Sequence, residues 1–552
     1  MPLSKSSLPA WKIWKNPIFL RYCRSRLRPK KLIPWLFISL IIAGFLFATS
    51  RQTAVFRGTM ELMDAERMPI FPLIIWQGIL LFLFGSGQVA GGMTTEADER
   101  TLDYQRLAPL SPLTKTLGYL FGLPVREYVL FLSTLPFTFW AFWQGQVPFS
   151  VFAQVYGSFM VAAVLYHLTG LVAGTVVRNR RTAFLVSMGV VFLLYTVVPY
   201  ASKFGLVYFQ FFTIRPVIED NLIHLTPRTF GAGYETLRNL IGGASFFAFS
   251  FPTWVYTLVA QGVLIATGIN MVWRRWNRAE SHLLGKAWAL ALFLWTLFLI
   301  IGNALPLVQS GDIFFSRAVQ SGFGRVFTST SWRAHISEAL FTCGIFGTAS
   351  LILMILLTLA ITGTRNDQVK GWRRRLKAGK NSLKFGSDPA SSFVWAFAMA
   401  LGAAAGWFFF SQGIVESHWF PGRDLPPFTF PLYVLTLLTA TLLFQTFLEA
   451  DGGVGKFKLW AFLGAILPIL ISVVLFAGSD SSTLATWIAL LSPLTWPLAV
   501  CYGLLFPDVM TSELIRPLPV ATLFWISSGA LLSLRLALHL RKARKEVRQS
   551  IS

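Results

Sequence analysis

The chain has 552 residues, of which 54% are hydrophobic and only 13% are charged. An average soluble protein carries about twice that share of charge. The apolar residues form long continuous runs, which excludes the short alternating segments of a membrane β-barrel. Three cysteines exclude a disulfide framework and a multi-cysteine metal site. The composition therefore predicts an all-α fold and a polytopic helical membrane protein.

Apolar runs bounded by charge predict about 12 transmembrane helices, since each crossing needs about 20 apolar residues. The first six lie near 33–50, 70–90, 117–142, 150–177, 182–200 and 251–273. The second six lie near 287–305, 338–362, 391–411, 428–449, 459–477 and 518–540. The run at 483–506 is also apolar, but Pro493 and Pro497 interrupt it. We expect this run to form a re-entrant or interfacial hairpin rather than a crossing helix.

The basic residues test this layout. With the N-terminus placed in the cytoplasm, the inside segments hold 34 of the 48 Lys and Arg residues and the outside segments hold 12. The positive-inside rule requires such an excess on the cytoplasmic side. Both termini are therefore predicted to be cytoplasmic. Topology also accounts for the net charge of +24, so no nucleic-acid partner is expected.

The order of elements predicts three regions. Residues 1–32 form a basic amphipathic connector on the inner leaflet, with a disordered basic arm as the alternative. Residues 33–280 and 281–552 form two six-helix halves. Each half has two helices, a longer cytoplasmic loop, three helices, an outer segment and a last helix that ends in basic residues. This shared order suggests an internal duplication.

Catalytic signatures are weak in this sequence. Neither H-E-x-x-H nor G-x-S-x-G occurs, and Ala450 and Phe457 stand where a phosphate loop needs Gly and Ser or Thr. His167 is predicted to lie deep in a helix, where a neutral histidine bonded to a neighbouring helix is the simpler interpretation and a functional group the alternative. We expect no enzyme activity and no metal or cofactor bound by this chain.

The loop after the second predicted helix, residues 94–115, is the most informative segment. It holds four acids and three bases, together with Leu102, Leu107 and Leu110, on a piece expected to face the cytoplasm. Two prolines interrupt it. We expect a short helix and a turn that offer an apolar and polar surface to a soluble partner. A solvated loop is the alternative.

This loop resembles the cytoplasmic loop of permeases of the type-2 ABC exporter class. Their pattern is a Glu-x-x-Glu-Arg lead, then Thr-Leu-acid, then Leu-x-x-Pro-Leu-Ser. The matching residues are Glu96, Glu99, Arg100, Thr101, Leu102, Asp103, Leu107, Pro109, Leu110 and Ser111. Many members have Gly where this chain has Arg100, and the spacing from Leu107 to Pro109 is one residue shorter here. Residues 16–21 also resemble the connector helix of these permeases.

The resemblance implies a permease in a bacterial plasma (inner) membrane, driven by a separate ABC ATPase subunit that hydrolyses ATP. It implies that the ATPase contacts Glu96, Glu99, Arg100, Thr101, Leu102, Leu107, Pro109, Leu110 and Ser111. The lipid bilayer and a second permease copy are the other candidate partners. The second half departs from the pattern, because its loop at 363–390 lacks the motif.

Two other classes stay open on the sequence. One is a secondary transporter or lipid flippase with a 6+6 repeat. The other is a membrane-embedded enzyme, which would need converging acids or histidines at one membrane face. The transported substrate is not indicated by any residue pattern.

Overall fold

The structure is a computed structural model. It describes residues 11–56, 62–177, 179–198, 206–227, 244–278, 281–309, 332–380, 383–416, 427–450, 459–478, 482–505 and 516–549. Within these ranges the regular secondary structure is helical apart from one two-stranded antiparallel hairpin, β1 (Ala244–Phe246) and β2 (Phe249–Phe251). The fold is therefore all-α, as the apolar runs predict.

The chain divides into two compact units. The N-terminal unit comprises residues 1–202 and 208–280, and the C-terminal unit comprises residues 203–207 and 281–552. Each unit holds its own set of long apolar helices. A common origin of the two units stays a prediction, because it rests on the order of elements alone.

The N-terminal unit begins with a basic helix and continues through long apolar helices. Its helices are α1 (Pro17–Arg26), α2 (Pro29–Phe56), α3 (Leu62–Arg67), α4 (Ile70–Gly78), α5 (Ser86–Asp98), α6 (Thr101–Leu107), α7 (Pro112–Gly122), α8 (Val125–Gln144), α9 (Phe149–Val176), α10 (Arg180–Thr196), α11 (Arg215–Asp220), α12 (Leu222–Leu225) and α13 (Thr253–Asn277). A π-helical stretch, Ile79–Gly85, joins α4 to α5. Short 3₁₀ turns lie at Ile13–Lys15 and Val207–Phe212.

The C-terminal unit has the same general character. Its helices are α14 (Lys286–Gln309), α15 (Trp332–Ile361), α16 (Arg365–Lys377), α17 (Phe393–Val415), α18 (Thr429–Ala450), α19 (Leu467–Gly478), α20 (Ser482–Leu490), α21 (Trp496–Leu505) and α22 (Pro517–Gln549). A second π-helical stretch, Ala461–Ile466, precedes α19. Most of these helices are apolar; α16 is short and basic.

Ten helices of the described ranges are long and apolar enough to cross a membrane, which makes the chain a multi-pass membrane protein. The predicted number of 12 is not confirmed. The predicted span 117–142 is interrupted between α7 and α8, where Leu123 and Pro124 separate two helices. The predicted span 182–200 corresponds to α10, which has only 17 residues. Their crossing of the bilayer stays a prediction.

The segment 483–506 folds as two short helices, α20 and α21, which have 9 and 10 residues. At 1.5 Å per residue, neither is long enough to cross a bilayer. Other parts of the unit hold the pair in place. The Ser492 hydroxyl donates to the Ala465 carbonyl at 2.7 Å, and the Trp525 indole donates to the Leu490 carbonyl at 2.9 Å. The depth of this pair in the membrane stays a prediction.

Small residues allow close packing in the N-terminal unit. A Cβ at Gly174 would lie 2.7 Å from the Ala90 carbonyl oxygen, and a Cβ at Gly170 would collide with the Ser86 carbonyl oxygen. Helix α9 can therefore approach the backbone of α5 closely, as small residues commonly allow between membrane helices. The coupling loop predicted at 94–115 follows directly from α5, so this packing fixes its base.

His167 is fully buried on α9. Its Nε2 donates to the Leu81 carbonyl at 2.9 Å, and its Nδ1 then accepts a hydrogen bond from the Tyr128 hydroxyl at 3.0 Å. Leu81 lies in the π-helical stretch, a form that departs from the regular α-helical hydrogen-bond pattern. A Cβ at Gly85 would collide with the His167 ring. These contacts agree with the interpretation of His167 as a neutral residue bonded to a neighbouring helix.

Candidate coupling surface

The segment from α5 to α7 forms an elbow made of two turns and one short helix. Helix α5 ends at Asp98, and Arg100 adopts the left-handed conformation with φ of 56°. Helix α6 follows, and Ala108 is extended before α7 begins. Ser111 caps α7, since its hydroxyl accepts a hydrogen bond from the Thr114 amide at 3.1 Å. The expected short helix and turn are therefore present between 94 and 115.

Arg100 stands at a backbone position that suits glycine. A left-handed conformation costs a residue with a side chain about 1–2 kcal/mol. The reversal at Arg100 lets α6 leave the axis of α5 within two residues. Glycine would adopt this conformation without that cost.

Glu96 ties three helices together at the base of the elbow. Its carboxylate is buried and forms an ion pair with Arg21 of α1. The Tyr22 hydroxyl of α1 donates to Oε1 at 2.6 Å, and the Tyr119 hydroxyl of α7 donates to Oε2 at 3.3 Å. Burial, followed by the hydrogen bond to the Glu96 carboxylate, raises the pKa of Tyr22. We name Glu96 and these three partners the Glu96 latch.

Two glycines let α1 pack directly on α7. A Cβ at Gly118 would lie 2.8 Å from the Asn16 amide group, and a Cβ at Gly122 would lie 2.9 Å from the Tyr22 ring. Asn16 is buried and begins α1, since its Oδ1 accepts from the Ile18 amide at 3.0 Å. Its Nδ2 donates to the Thr114 carbonyl at 2.7 Å. The connector is thus a helix docked on the elbow in this part of the chain.

Helix α6 has two different faces. Leu102 is 8% exposed and packs in a buried cluster with Met93 and Tyr119. Leu107 is 83% exposed and Tyr104 is 75% exposed. Positions i and i+3 of a helix lie on the same face. Tyr104 and Leu107 therefore form one exposed apolar patch on an otherwise charged loop, which we name the α6 tip.

Two contacts hold the C-terminal part of α6 in place. Arg106 forms an ion pair with Asp103 one turn earlier on α6. The Lys115 ammonium group of α7 donates to the Arg106 carbonyl at 3.3 Å, which satisfies an acceptor at the end of α6. Burial lowers the pKa of Lys115, and the nearby positive charge of Arg106 lowers it further. The last turn of the short helix is therefore held by contacts within α6 and with α7.

The nine residues predicted to contact a partner fall into three groups by exposure. Glu99, Arg100, Leu107, Pro109 and Ser111 are exposed, Thr101 and Leu110 are half-buried, and Glu96 and Leu102 are buried. The observed contacts of Glu96 are with this chain's own helices, and Leu102 is a core residue. Tyr104 is not among the residues predicted from the sequence, although its three-residue spacing from Leu107 indicates a shared helix face.

The corresponding loop of the C-terminal unit contains α16. Glu449 of α18 is buried there and accepts hydrogen bonds from Gln368 Nε2 at 2.5 Å and Gln445 Nε2 at 2.8 Å. Thr364 and Asp367 form a capping box at the start of α16. Arg373 and Arg374 are exposed near its end, so α16 presents basic side chains; Phe385, farther along the loop, is also exposed.

Comparison with known protein families, with curated proteins and with solved structures found no match. Within the described ranges, no group of three or more His, Cys, Asp or Glu side chains could hold a metal ion. The elbow, with the α6 tip and the Glu96 latch, is therefore the candidate functional site of this chain.

Proposed function

We propose that this chain is the membrane-spanning permease of an ATP-driven exporter of the type-2 ABC class, in the plasma membrane of a bacterium. A separate ABC ATPase subunit hydrolyses the ATP and docks on the α6 tip. Both termini are cytoplasmic in this proposal, and the chain crosses the membrane 12 times. The chain itself is a transporter subunit and not an enzyme.

The observation that carries this proposal is the exposure of Tyr104 and Leu107 on a helix that is otherwise well anchored. An exposed apolar patch with a polar rim is typical of a protein interaction site. Glu99 and Arg100 are exposed beside it and provide such a rim. Burial of one leucine side chain contributes about 1.5–3 kcal/mol. A groove on the ATPase that takes both side chains therefore gains much of its affinity here.

The elbow is also suited to transmit a push. A force on α6 reaches α5 through the two-residue turn at Glu99–Arg100, and it reaches α1 and α7 through the Glu96 latch. Coupling between distant sites is carried by packed elements and polar networks of this kind. Helix α5 packs on α9 through Gly170 and Gly174, so movement of α5 would pass to a second long helix.

A secondary transporter or lipid flippase is the alternative, and the buried acids argue against it. Ion-coupled carriers usually place carboxylates near the membrane midplane. In the described ranges, the buried carboxylates lie close to helix ends, and Glu127, which lies inside the predicted span 117–142, is paired with Arg126. The buried carboxylates are Asp64 and Glu66 of α3, Glu96 near the end of α5, Glu127 in the first turns of α8 and Glu449 near the end of α18. The polar contacts of Glu96 and Glu449 anchor neighbouring helices to each other.

The test is purification of the tagged full chain in mild detergent from its own host. We expect an ABC ATPase to co-purify, identified by mass spectrometry, and vanadate-sensitive ATP hydrolysis in the eluate. Leu107→Asp should weaken this association by about 2 kcal/mol or more, which is roughly a thirtyfold loss of affinity. The chain should remain folded and inserted, because Leu107 is exposed.

Leu62→Asp is the matched control. Leu62 is 71% exposed at the start of α3, on the side predicted to be outside, so the same substitution there should leave the ATPase bound. Full co-purification and full ATP hydrolysis with Leu107→Asp would show that α6 is not the coupling element. Absence of any ABC ATPase from the wild-type eluate would contradict the proposed class.

A further inference from the structure

A phenylalanine-rich hairpin precedes α13 in the N-terminal unit. Phe246 of β1 pairs with Phe249 of β2. Phe247 and Ala248 therefore form a two-residue turn between the strands. Phe249 is 68% exposed and Phe251 is 42% exposed. Because successive side chains of a strand point to opposite faces, these two rings share one face of β2. We name Phe249 and Phe251 the hairpin face.

Tyr256 fixes the hairpin to the first turn of α13. The centre of its ring lies 6.1 Å from that of Phe246 and 6.3 Å from that of Phe251. Tyr256 is buried, and its ring centre also lies 4.6 Å from that of Phe211. A two-stranded hairpin is only marginally stable alone in water. These ring contacts therefore hold the hairpin, with its exposed face, against the start of a long apolar helix.

The turn of the hairpin lacks the residues that hairpins in water commonly use. Two-residue hairpin turns need positive φ at one or both positions and are rich in Asn, Asp and Gly. Phe247 has a φ of 49°, a conformation in which a bulky side chain is unusual. Ala248 beside it is exposed. The hairpin therefore presents apolar side chains even at positions where glycine would suit the backbone better.

The hairpin lies at the end of a membrane helix. Helix α13 is a candidate membrane-spanning helix that begins at Thr253. Trp254, Gly262 and Ala266 are exposed along it at the spacing of one helix face, which is the face available to lipid. Trp254 follows Phe251 closely in the chain, and tryptophan is enriched at the headgroup level of membrane helices. The hairpin face therefore stands where the lipid-facing surface of α13 begins.

The lack of charge favours a lipid surface over a protein partner. No charged residue occurs from 239 to 273, a stretch that includes the hairpin and most of α13. Protein interaction sites are typically apolar patches with a polar rim. The α6 tip has such a rim in Glu99 and Arg100, whereas neither the hairpin nor the start of α13 provides a charged one. Acyl chains are the partner that this uncharged apolar face fits.

We propose that the hairpin lies at the surface of the bilayer and inserts Phe249 and Phe251 among the acyl chains of the leaflet next to the start of α13. The unpaired backbone groups at the edges of a two-stranded sheet need water or headgroups, so the strands themselves stay at headgroup level. Only the rings reach the hydrocarbon. The topology predicted from Lys and Arg makes this the outer leaflet. The proposal does not depend on the docking of an ATPase.

The test measures the depth of a nitroxide label by electron paramagnetic resonance. Phe249→Cys is introduced in a chain in which Cys23, Cys343 and Cys501 are replaced by serine. The labelled full chain is reconstituted in vesicles of phosphatidylethanolamine and phosphatidylglycerol. Collisions of the label with oxygen, which dissolves in acyl chains, are compared with its collisions with a water-soluble nickel chelate. We expect a label depth of about 5–10 Å in the headgroup and acyl boundary, as for interfacial amphipathic helices.

Ser250→Cys is the matched control. Ser250 is exposed, follows Phe249 and points to the opposite face of β2. The chelate should therefore reach its label more readily than the label at Phe249. Equal accessibility at the two sites would overturn the proposed orientation of the hairpin face. A Phe249 label that collides mainly with the chelate would show that face in water, and a label shielded from both reagents would show it covered by protein; either result overturns the proposal.

Photo-crosslinking tests the same face with an aromatic ring in place. Phe249 is replaced by p-benzoylphenylalanine, and the reconstituted chain is irradiated and analysed by mass spectrometry. We expect adducts with phospholipid acyl chains. Adducts mainly with a peptide of this chain would overturn the proposal and identify a second copy or another segment as the occupant. Leu107→Asp should leave both measurements unchanged, so a failure of ATPase docking and a failure of hairpin insertion are distinguishable.

Discussion

Each unit has a buried carboxylate that anchors a loop predicted to be cytoplasmic to neighbouring helices, but the two carboxylates do so with different chemistry. Glu96 binds an arginine and two tyrosine hydroxyls from two other helices. Glu449 binds the amides of Gln368 and Gln445. The first arrangement joins α1 and α7 to the end of α5, after which the seven-residue helix α6 with its apolar tip follows. The second fixes a thirteen-residue helix with a basic end.

Because of this difference, we expect the two loops to have different roles. The α6 tip exposes Tyr104 and Leu107, whose burial would stabilise a protein complex. Helix α16 instead exposes Arg373 and Arg374, and Trp372 lies 4.9 Å from the Arg544 guanidinium group of α22. Surface charges contribute little to affinity and more to orientation and association rate. We therefore expect the ATPase to depend on α6 far more than on α16.

The largest expected effect comes from removal of the Glu96 latch. Glu96→Ala leaves the Tyr22 and Tyr119 hydroxyls without their acceptor and separates Arg21 from its partner. Loss of such a buried network should cost about 3 kcal/mol, reduced by the partial exposure of Arg21. Helix α1 should then detach from α7. The rate at which a maleimide labels Cys23 of α1 measures this, in a background where Cys343 and Cys501 are serine.

Glu449→Ala is the variant of the C-terminal unit that matches Glu96→Ala. It should lower the thermal stability of the chain but leave the Cys23 labelling rate unchanged, because Glu449 anchors α16 and not α1. If Glu96→Ala also leaves Cys23 labelling unchanged while the protein stays folded, the latch does not hold the connector. The resemblance of α1 to a connector helix would then lose its structural support.

The next effect concerns the glycine contact between α1 and α7. Gly122→Ala places a methyl group 2.9 Å from the Tyr22 ring, and such overpacking costs about 1–3 kcal/mol. Gly157→Ala on α9 is the control, because its added methyl group meets nothing within 4 Å. Alanine in a helix interior is favoured over glycine by about 0.5–1 kcal/mol. Thermal unfolding in detergent should therefore shift in opposite directions for the two variants.

The sequence predicted the helical membrane fold because long apolar runs have few other solutions in a bilayer. It also located the elbow, since Leu107 stands out among charges at 94–115. It could not predict the partners of Glu96, because Arg21 and Tyr22 lie 75 and 74 residues away along the chain. The break between α7 and α8 was missed for a local reason. The apolar run continues through Leu123 and Pro124, and hydropathy does not register a turn within such a run.

The smallest expected effect concerns a single residue with a left-handed backbone conformation in each of the two loops. Arg100 has a φ of 56°, and glycine adopts this conformation without steric cost. Arg100→Gly should therefore stabilise the folded chain by up to about 1 kcal/mol, offset in part by the greater freedom of glycine in the unfolded chain. Gly379 is the matched position after α16, with a φ of 70° and no neighbour within 4 Å of an added Cβ. Gly379→Arg should destabilise by a similar amount, measured as the midpoint of thermal unfolding. If Arg100→Gly lowers that midpoint, contacts of the Arg100 side chain outweigh the backbone cost, and the arginine is then retained for those contacts rather than tolerated despite its conformation.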